Sequence, residues 1–139
     1  MKKAINKKRV LIILAVSVIV IITVLTILFS KVTDGLKEGM NLAVNNINLL
    51  KIDDGVYTGT YDYKRWTNTV KVYVNNHNIT KIEITNDVTG AGITNCSDEI
   101  ISRVITAQNA NVDAVAGATV TSKAYLKAIE AALKEGYHD

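Results

Sequence analysis

Residues 113–122 read DAVAGATVTS, and a helical pattern, SKAYLKAIEAALKEG, starts within their last residue. Three hydroxyls, Thr119, Thr121 and Ser122, follow the pair Gly117-Ala118. A glycine and an alanine leave the backbone bare at a helix entrance, where unpaired amide N–H groups and the positive end of the helix dipole face outward. Such a place favours an anion, and a phosphate above all. One hydroxyl suffices to cap a helix, so Thr121 or Ser122 is expected to act as the cap. Thr119 is then left without a structural duty and available for chemistry. The motif carries no lysine of the kind a phosphate loop of the form GxxxxGK[ST] requires. Nucleophilic catalysis needs a base held beside the hydroxyl. The chain has only two histidines, His77 in an asparagine-rich turn and His138 at the very end. No catalytic residue and no metal cluster is assigned, and the chain does not read as an enzyme in its own right.

The elements that must position this motif follow from periodicity. GVYTGTYDY (55–63), TVKVYVNN (69–76) and ITKIEITN (79–86) alternate apolar and polar residues, which predicts strands with one dry and one wet face. Asn75-Asn76-His77-Asn78 tolerates left-handed backbone angles and predicts a hairpin turn. The loop DVTGAGITN (87–95) holds Gly90 and Gly92 and reads either as a plain connection or as backbone kept bare for a flat ligand. SDEIISRVITAQ (97–108) is expected to be a helix capped by Ser97, with Ile100, Ile101, Val104 and Ile105 as its apolar stripe. The final helix buries Leu126, Ile129 and Leu133 and stops at Gly136. The fold class is α+β, a small antiparallel sheet with two packed helices, preceded by one N-terminal transmembrane helix.

That first helix is read from Val10–Ser30, 21 residues without a charge. At about 1.5 Å per residue it spans roughly 31 Å, close to the ~30 Å hydrocarbon core of a bilayer. Its length and the lack of an A-x-A closure predict an uncleaved signal anchor. Lys2, Lys3, Lys7, Lys8 and Arg9 precede it and are expected to stay in the cytoplasm, with the rest outside. Five of the chain's 16 cations and none of its 13 acids lie in this part, so residues 31–139 hold 11 cations against 13 acids, a net −2. A mildly acidic outer domain has no electrostatic footprint for nucleic acid. The single cysteine, Cys96, rules out an intrachain disulfide and reads as a small buried apolar side chain. The chain divides into a cytoplasmic basic segment (1–9), the anchor (10–30), a stalk (31–54) and a domain (55–136). Leu36, Met40, Val44, Ile47 and Leu50 give the stalk a partly helical spacing. Residues 51–139 are expected to fold alone.

Residues 55–136 resemble the FMN-binding domain family, which includes flavin-bearing subunits of the sodium-pumping quinone reductase and of related ferredoxin-linked membrane complexes. The family motif places an aspartate two or three residues before Ser/Thr-Gly-Ala-Thr-x-Thr. Here it reads Asp113-Ala114-Val115-Ala116-Gly117-Ala118-Thr119-Val120-Thr121-Ser122. A Gly-x-Tyr-x-Gly strand and a valine-rich strand precede it, as GVYTGTYDY and TVKVYVNN do here. Ala116 departs from the family's usual Ser or Thr. The resemblance implies that Thr119 is the acceptor esterified to the FMN phosphate by a separate magnesium-dependent flavin transferase. It also gives Asp113 a part in recognition by the transferase; beside it, Gly117 and Ala118 are expected to clear the approach, and Thr121 or Ser122 to cap the helix beneath the phosphate, with Lys123 nearby. Trp66, Tyr61, Tyr63 and Tyr73 are candidates to touch the ring.

The implied function is a membrane-anchored, extracytoplasmic electron carrier, single-pass, passing electrons between a membrane reductase and an external acceptor. Two alternatives stand beside it. One is a module that holds FMN noncovalently as carrier or sensor, and the other is a flavin-free anchored scaffold.

Overall fold

The computed structural model describes residues 7–87 and 95–138. It divides into two compact units, one up to Asp34 and one from Gly35 onward. The first is a single helix, α1 (Lys7–Thr33), with no buried residue along its length. A helix apolar on all sides suits lipid rather than water. Among the described residues it is the one helix long and apolar enough to cross a membrane.

The second unit is a three-stranded antiparallel sheet with two long helices packed on its dry face, in the order α2 (Leu36–Met40), β1 (Gly55–Tyr63), β2 (Trp66–Asn75), β3 (Asn78–Asp87), α3 (Cys96–Ala107) and α4 (Thr119–Glu135). This is the expected α+β class. The strands follow the alternation read from the sequence: Val70, Val72 and Val74 of β2 and Ile79 and Ile82 of β3 are buried, with Lys71 and Lys81 outside. Asn75 pairs with Asn78 across a two-residue turn, in which Asn76 (φ 50°) and His77 (φ 57°) are both left-handed. His77 is not idle there. Its Nδ1 lies 2.9 Å from the Ile52 carbonyl, and its N–H donates to Asp54 at 3.3 Å.

Ile100 and Val104 of α3 and Leu126, Ile129 and Leu133 of α4 complete the core, each 0–1 % exposed. Full burial of such a side chain contributes roughly 1.5–3 kcal/mol. At Gly59 of β1 the two layers touch backbone to backbone: a Cβ there would collide with the Ala128 carbonyl oxygen and the Ala132 amide. Ser97 does not cap α3. The N-cap is Asn95, left-handed at φ 73°, with no side-chain bond. Ser97 sits inside the first turn, two residues past the cap position.

From Gly35 onward, the segment read as a stalk belongs to this unit. Only Leu36–Met40 is α-helical, with a short 3-10 turn at Leu49–Lys51. Ile47 and Ile52 enter the core. Asn45 donates from its backbone N–H (3.2 Å) and its Nδ2 (3.1 Å) to the carboxylate of Glu130, which is 1 % exposed and also paired with Lys127 and Lys134. Burial opposes the charge of Glu130, but the hydrogen bonds from Lys127, Lys134 and Asn45 outweigh it and hold the carboxyl down at about 2.

Candidate functional site

Helix α4 starts at Thr119 itself. Ala118 is its N-cap, and no side chain closes the first turn. Neither Thr121 nor Ser122 is the cap, contrary to the sequence expectation. They are the third and fourth residues of the helix, so their own side chains lie beyond the turn that needs closing. Ser122 N–H makes the bond to the Ala118 carbonyl at 2.8 Å. The N–H groups of Thr119, Val120 and Thr121 have no helical acceptor behind them. Ser122 is wholly buried and does different work. Its Oγ accepts the N–H of Val115 at 3.0 Å and lies 3.5 Å from the thiol of the buried Cys96. It ties the loop 113–118 down onto α4.

The loop is held on its other side by Arg103 of α3. Its guanidinium donates to the carbonyls of Asp113 (2.8 Å) and Ala114 (3.2 Å) and pairs with Glu99 at 2.5 Å. Asp113 is exposed, and its part in this contact is its backbone. Between these two fastenings Gly117 takes φ 78°, a left-handed conformation that costs residues with a Cβ about 1–2 kcal/mol. Among the described residues nothing lies within 4 Å of the place its Cβ would occupy, so the glycine serves the backbone angle. The outcome is a bare, outward-facing turn.

Thr119 is exposed, and among the described residues its hydroxyl has no hydrogen-bond partner. It lines a cleft of about 280 Å³ with Gly117, Ala118, Val120 and Thr121 on one side and Leu36, Met40, Arg65 and Trp66 on the other. Leu36 packs with Trp66, Val120 and Ala124, and Gly39 lies against Val120. Lys123, expected beside the anion, instead donates to the Met40 carbonyl at 2.5 Å and so fastens α2 over the start of α4. The cation facing the cleft is Arg65, whose guanidinium carbon lies 4.5 Å from the centre of the Trp66 indole. Free amide donors, a cation and apolar walls suit a ligand that has both an anionic group and a flat apolar body.

Of the four aromatics proposed for the ring, Trp66 lines this cleft. Tyr61 packs against the core, and Tyr73 lies on the wet face of the sheet, donating to Glu83 at 2.6 Å. Tyr63 stands against the place a Cβ on Gly35 would occupy. Residues 88–94, with Gly90 and Gly92, lie outside the described residues. Leading up to them, Asp87 accepts the hydroxyl of Tyr125 at 2.7 Å. Burial first, and then this bond, push the Tyr125 phenol well above its ordinary value. Two residues inward of Trp66 on the same face of β2, Asn68 is fully buried, and among the described residues neither of its amide atoms has a hydrogen-bond partner. The sequence reading missed Leu36, Met40, Arg65 and Arg103. The i,i+4 spacing of Glu99 and Arg103 signals their pairing, but nothing local signals that Arg103 also reaches the motif loop.

Comparison with curated proteins gives no match. The family model of the FMN-binding domain matches residues 65–134, which is half of the chain. The matched stretch opens on Arg65 and Trp66, runs through the motif loop and takes in all but the last residue of α4. It covers both walls of the cleft except for α2, and it makes FMN the cofactor. By sequence motif, fold and family match together, the chain belongs to the FMN-binding domain family.

Proposed function

We propose that this chain is a membrane-anchored, extracytoplasmic electron carrier whose FMN is attached through its phosphate to Thr119. The observation that carries the reading is the state of Thr119: an exposed, unbonded hydroxyl on the first residue of α4, beside a left-handed glycine and an uncapped turn. The residues present fit the group. The N–H donors of the first turn and Arg65 suit the phosphate, while Leu36, Met40 and Trp66 offer apolar surface to the ring. At about 280 Å³ the cleft is at the lower edge of the roughly 300–1,000 Å³ of small-molecule sites, so it covers the cofactor only in part. A carrier that hands electrons to partner proteins needs such an open face.

FMN held there supplies one- and two-electron transfer, and the chemistry belongs to the cofactor. The chain's residues hold it, orient it and shield one side from water. A covalent link prevents loss of the cofactor on the outer side of a membrane. The five cations before α1 support the orientation, with the N-terminus inside and the domain outside. The partners proposed are a flavin transferase, a membrane-bound electron donor and an external acceptor. The test is to produce the full chain with and without a flavin transferase and run it on a denaturing gel. Flavin fluorescence should stay with the band only when the transferase is present. A coloured native protein whose band is dark after denaturation would establish the noncovalent reading instead.

A further inference from the structure

Arg65 stands out among the cations of the outer unit. It occupies the turn between β1 and β2, where Lys64 is left-handed at φ 58° and Tyr63 pairs with Trp66. This turn sends the side chain back over the indole of Trp66, 4.5 Å from the ring centre, and holds it there by cation–π attraction. Unlike Arg103, Lys81, Lys127 and Lys134, it has no carboxylate partner among the described residues. It lines the cleft opposite Gly117–Thr121. A guanidinium held in a fixed plane presents paired N–H donors, which match two oxygens of a phosphate in a way a lysine does not. An unpaired charge kept in position by stacking is preorganised for an anion brought by a ligand.

We propose that Arg65, positioned by Trp66, is the side chain that binds the phosphate of the flavin nucleotide, so that the cleft prefers FMN to riboflavin. This rests on the cofactor lying in the Thr119 cleft, as proposed above. Arg65 acts on recognition and not on electron transfer.

The chain contains one tryptophan, Trp66, so its emission reports on this cleft alone. The experiment uses the full chain in detergent, produced without a flavin transferase, titrated in turn with FMN and riboflavin. Trp66 emission should be quenched saturably, with FMN binding at least about tenfold tighter than riboflavin, the ratio expected from one charge-assisted contact of ~1.4 kcal/mol. Arg65→Gln should lower the preference about tenfold, leaving only what the first-turn N–H groups contribute, and Arg65→Lys should keep part of the difference, since a point charge replaces the fork. Absence of quenching by FMN, equal binding of the two flavins, or an undiminished preference in Arg65→Gln would each overturn the role of Arg65. The attachment reading fails separately: if a transferase places flavin on Thr119→Ala, Thr119 is not the acceptor, whatever the flavin preference shows.

Discussion

At Ala128 and Ala132, α4 lies so close to the sheet that a Cβ on Gly59 would strike its backbone, whereas just before its first residue a Cβ on Gly117 would meet nothing within 4 Å among the described residues. One glycine is required by contact and the other by a backbone angle. The C-terminal half of the helix is closed by the core and by Glu130, with two lysines and Asn45 around its carboxylate. The N-terminal end is uncapped, and its N–H groups and the Thr119 hydroxyl face outward. The rigid half fixes where the open end sits. The loop leading to that end is fastened by Ser122 and Arg103.

Substitutions that break the closed half should cost the most. Gly59→Ala must separate β1 from α4, since the atoms it meets are backbone and cannot turn aside. A loss of at least about 3 kcal/mol is expected, at the upper end of overpacking penalties, read as a fall in the denaturant midpoint of residues 35–139. Acid attacks the same half. The carboxyl of Glu130 is held at about 2 in the folded chain against an ordinary 4.5, so its contribution is present above pH ~4.5 and is lost as pH falls through ~2. The shift is equivalent to about 3 kcal/mol. Melts between pH 5 and pH 2 should show this loss, and Glu130→Gln should flatten it.

Changes at the open end should be milder in stability and larger in function. Ser122→Ala leaves the Val115 N–H without its acceptor and should cost about 1–3 kcal/mol, with reduced flavin loading because the loop loosens. Gly117→Ala meets no clash and should cost about 1–2 kcal/mol from its backbone angle alone, read as a small fall in melting temperature. If Gly117→Ala proved as damaging as Gly59→Ala, the contrast between the two ends would be wrong.

The sequence made the sheet readable because period-two alternation follows directly from one buried face. β1 spans Gly55–Tyr63, the same nine residues read from the alternation, and the Asn76-His77 turn is left-handed as asparagine chemistry suggests. The turn at Lys64-Arg65 has neither glycine nor asparagine, so nothing marked it, and the cation it delivers to the cleft went unseen. The start of α4 was misplaced because the capping rule looks for a hydroxyl. Here an alanine holds the cap position, and the Ser122 hydroxyl bonds a backbone amide seven residues earlier. The apolar spacing over 36–50 looked helical but serves two separate contacts, Leu36 against Trp66 and Ile47 in the main core. The bond from Asn45 to Glu130 joins residues 85 apart and leaves no local trace.

The account turns on Thr119, and peptide mapping by mass spectrometry tests it most directly. The full chain is produced beside an active flavin transferase, digested, and the peptide holding residues 113–122 is fragmented. The account predicts one FMN phosphoester, on Thr119, and none anywhere in Thr119→Ala, whose stability should stay within about 0.5 kcal/mol of the original because only an unbonded hydroxyl and a methyl group of an exposed residue are lost. An FMN adduct on Thr121 or Ser122, or one that persists in Thr119→Ala, would contradict it.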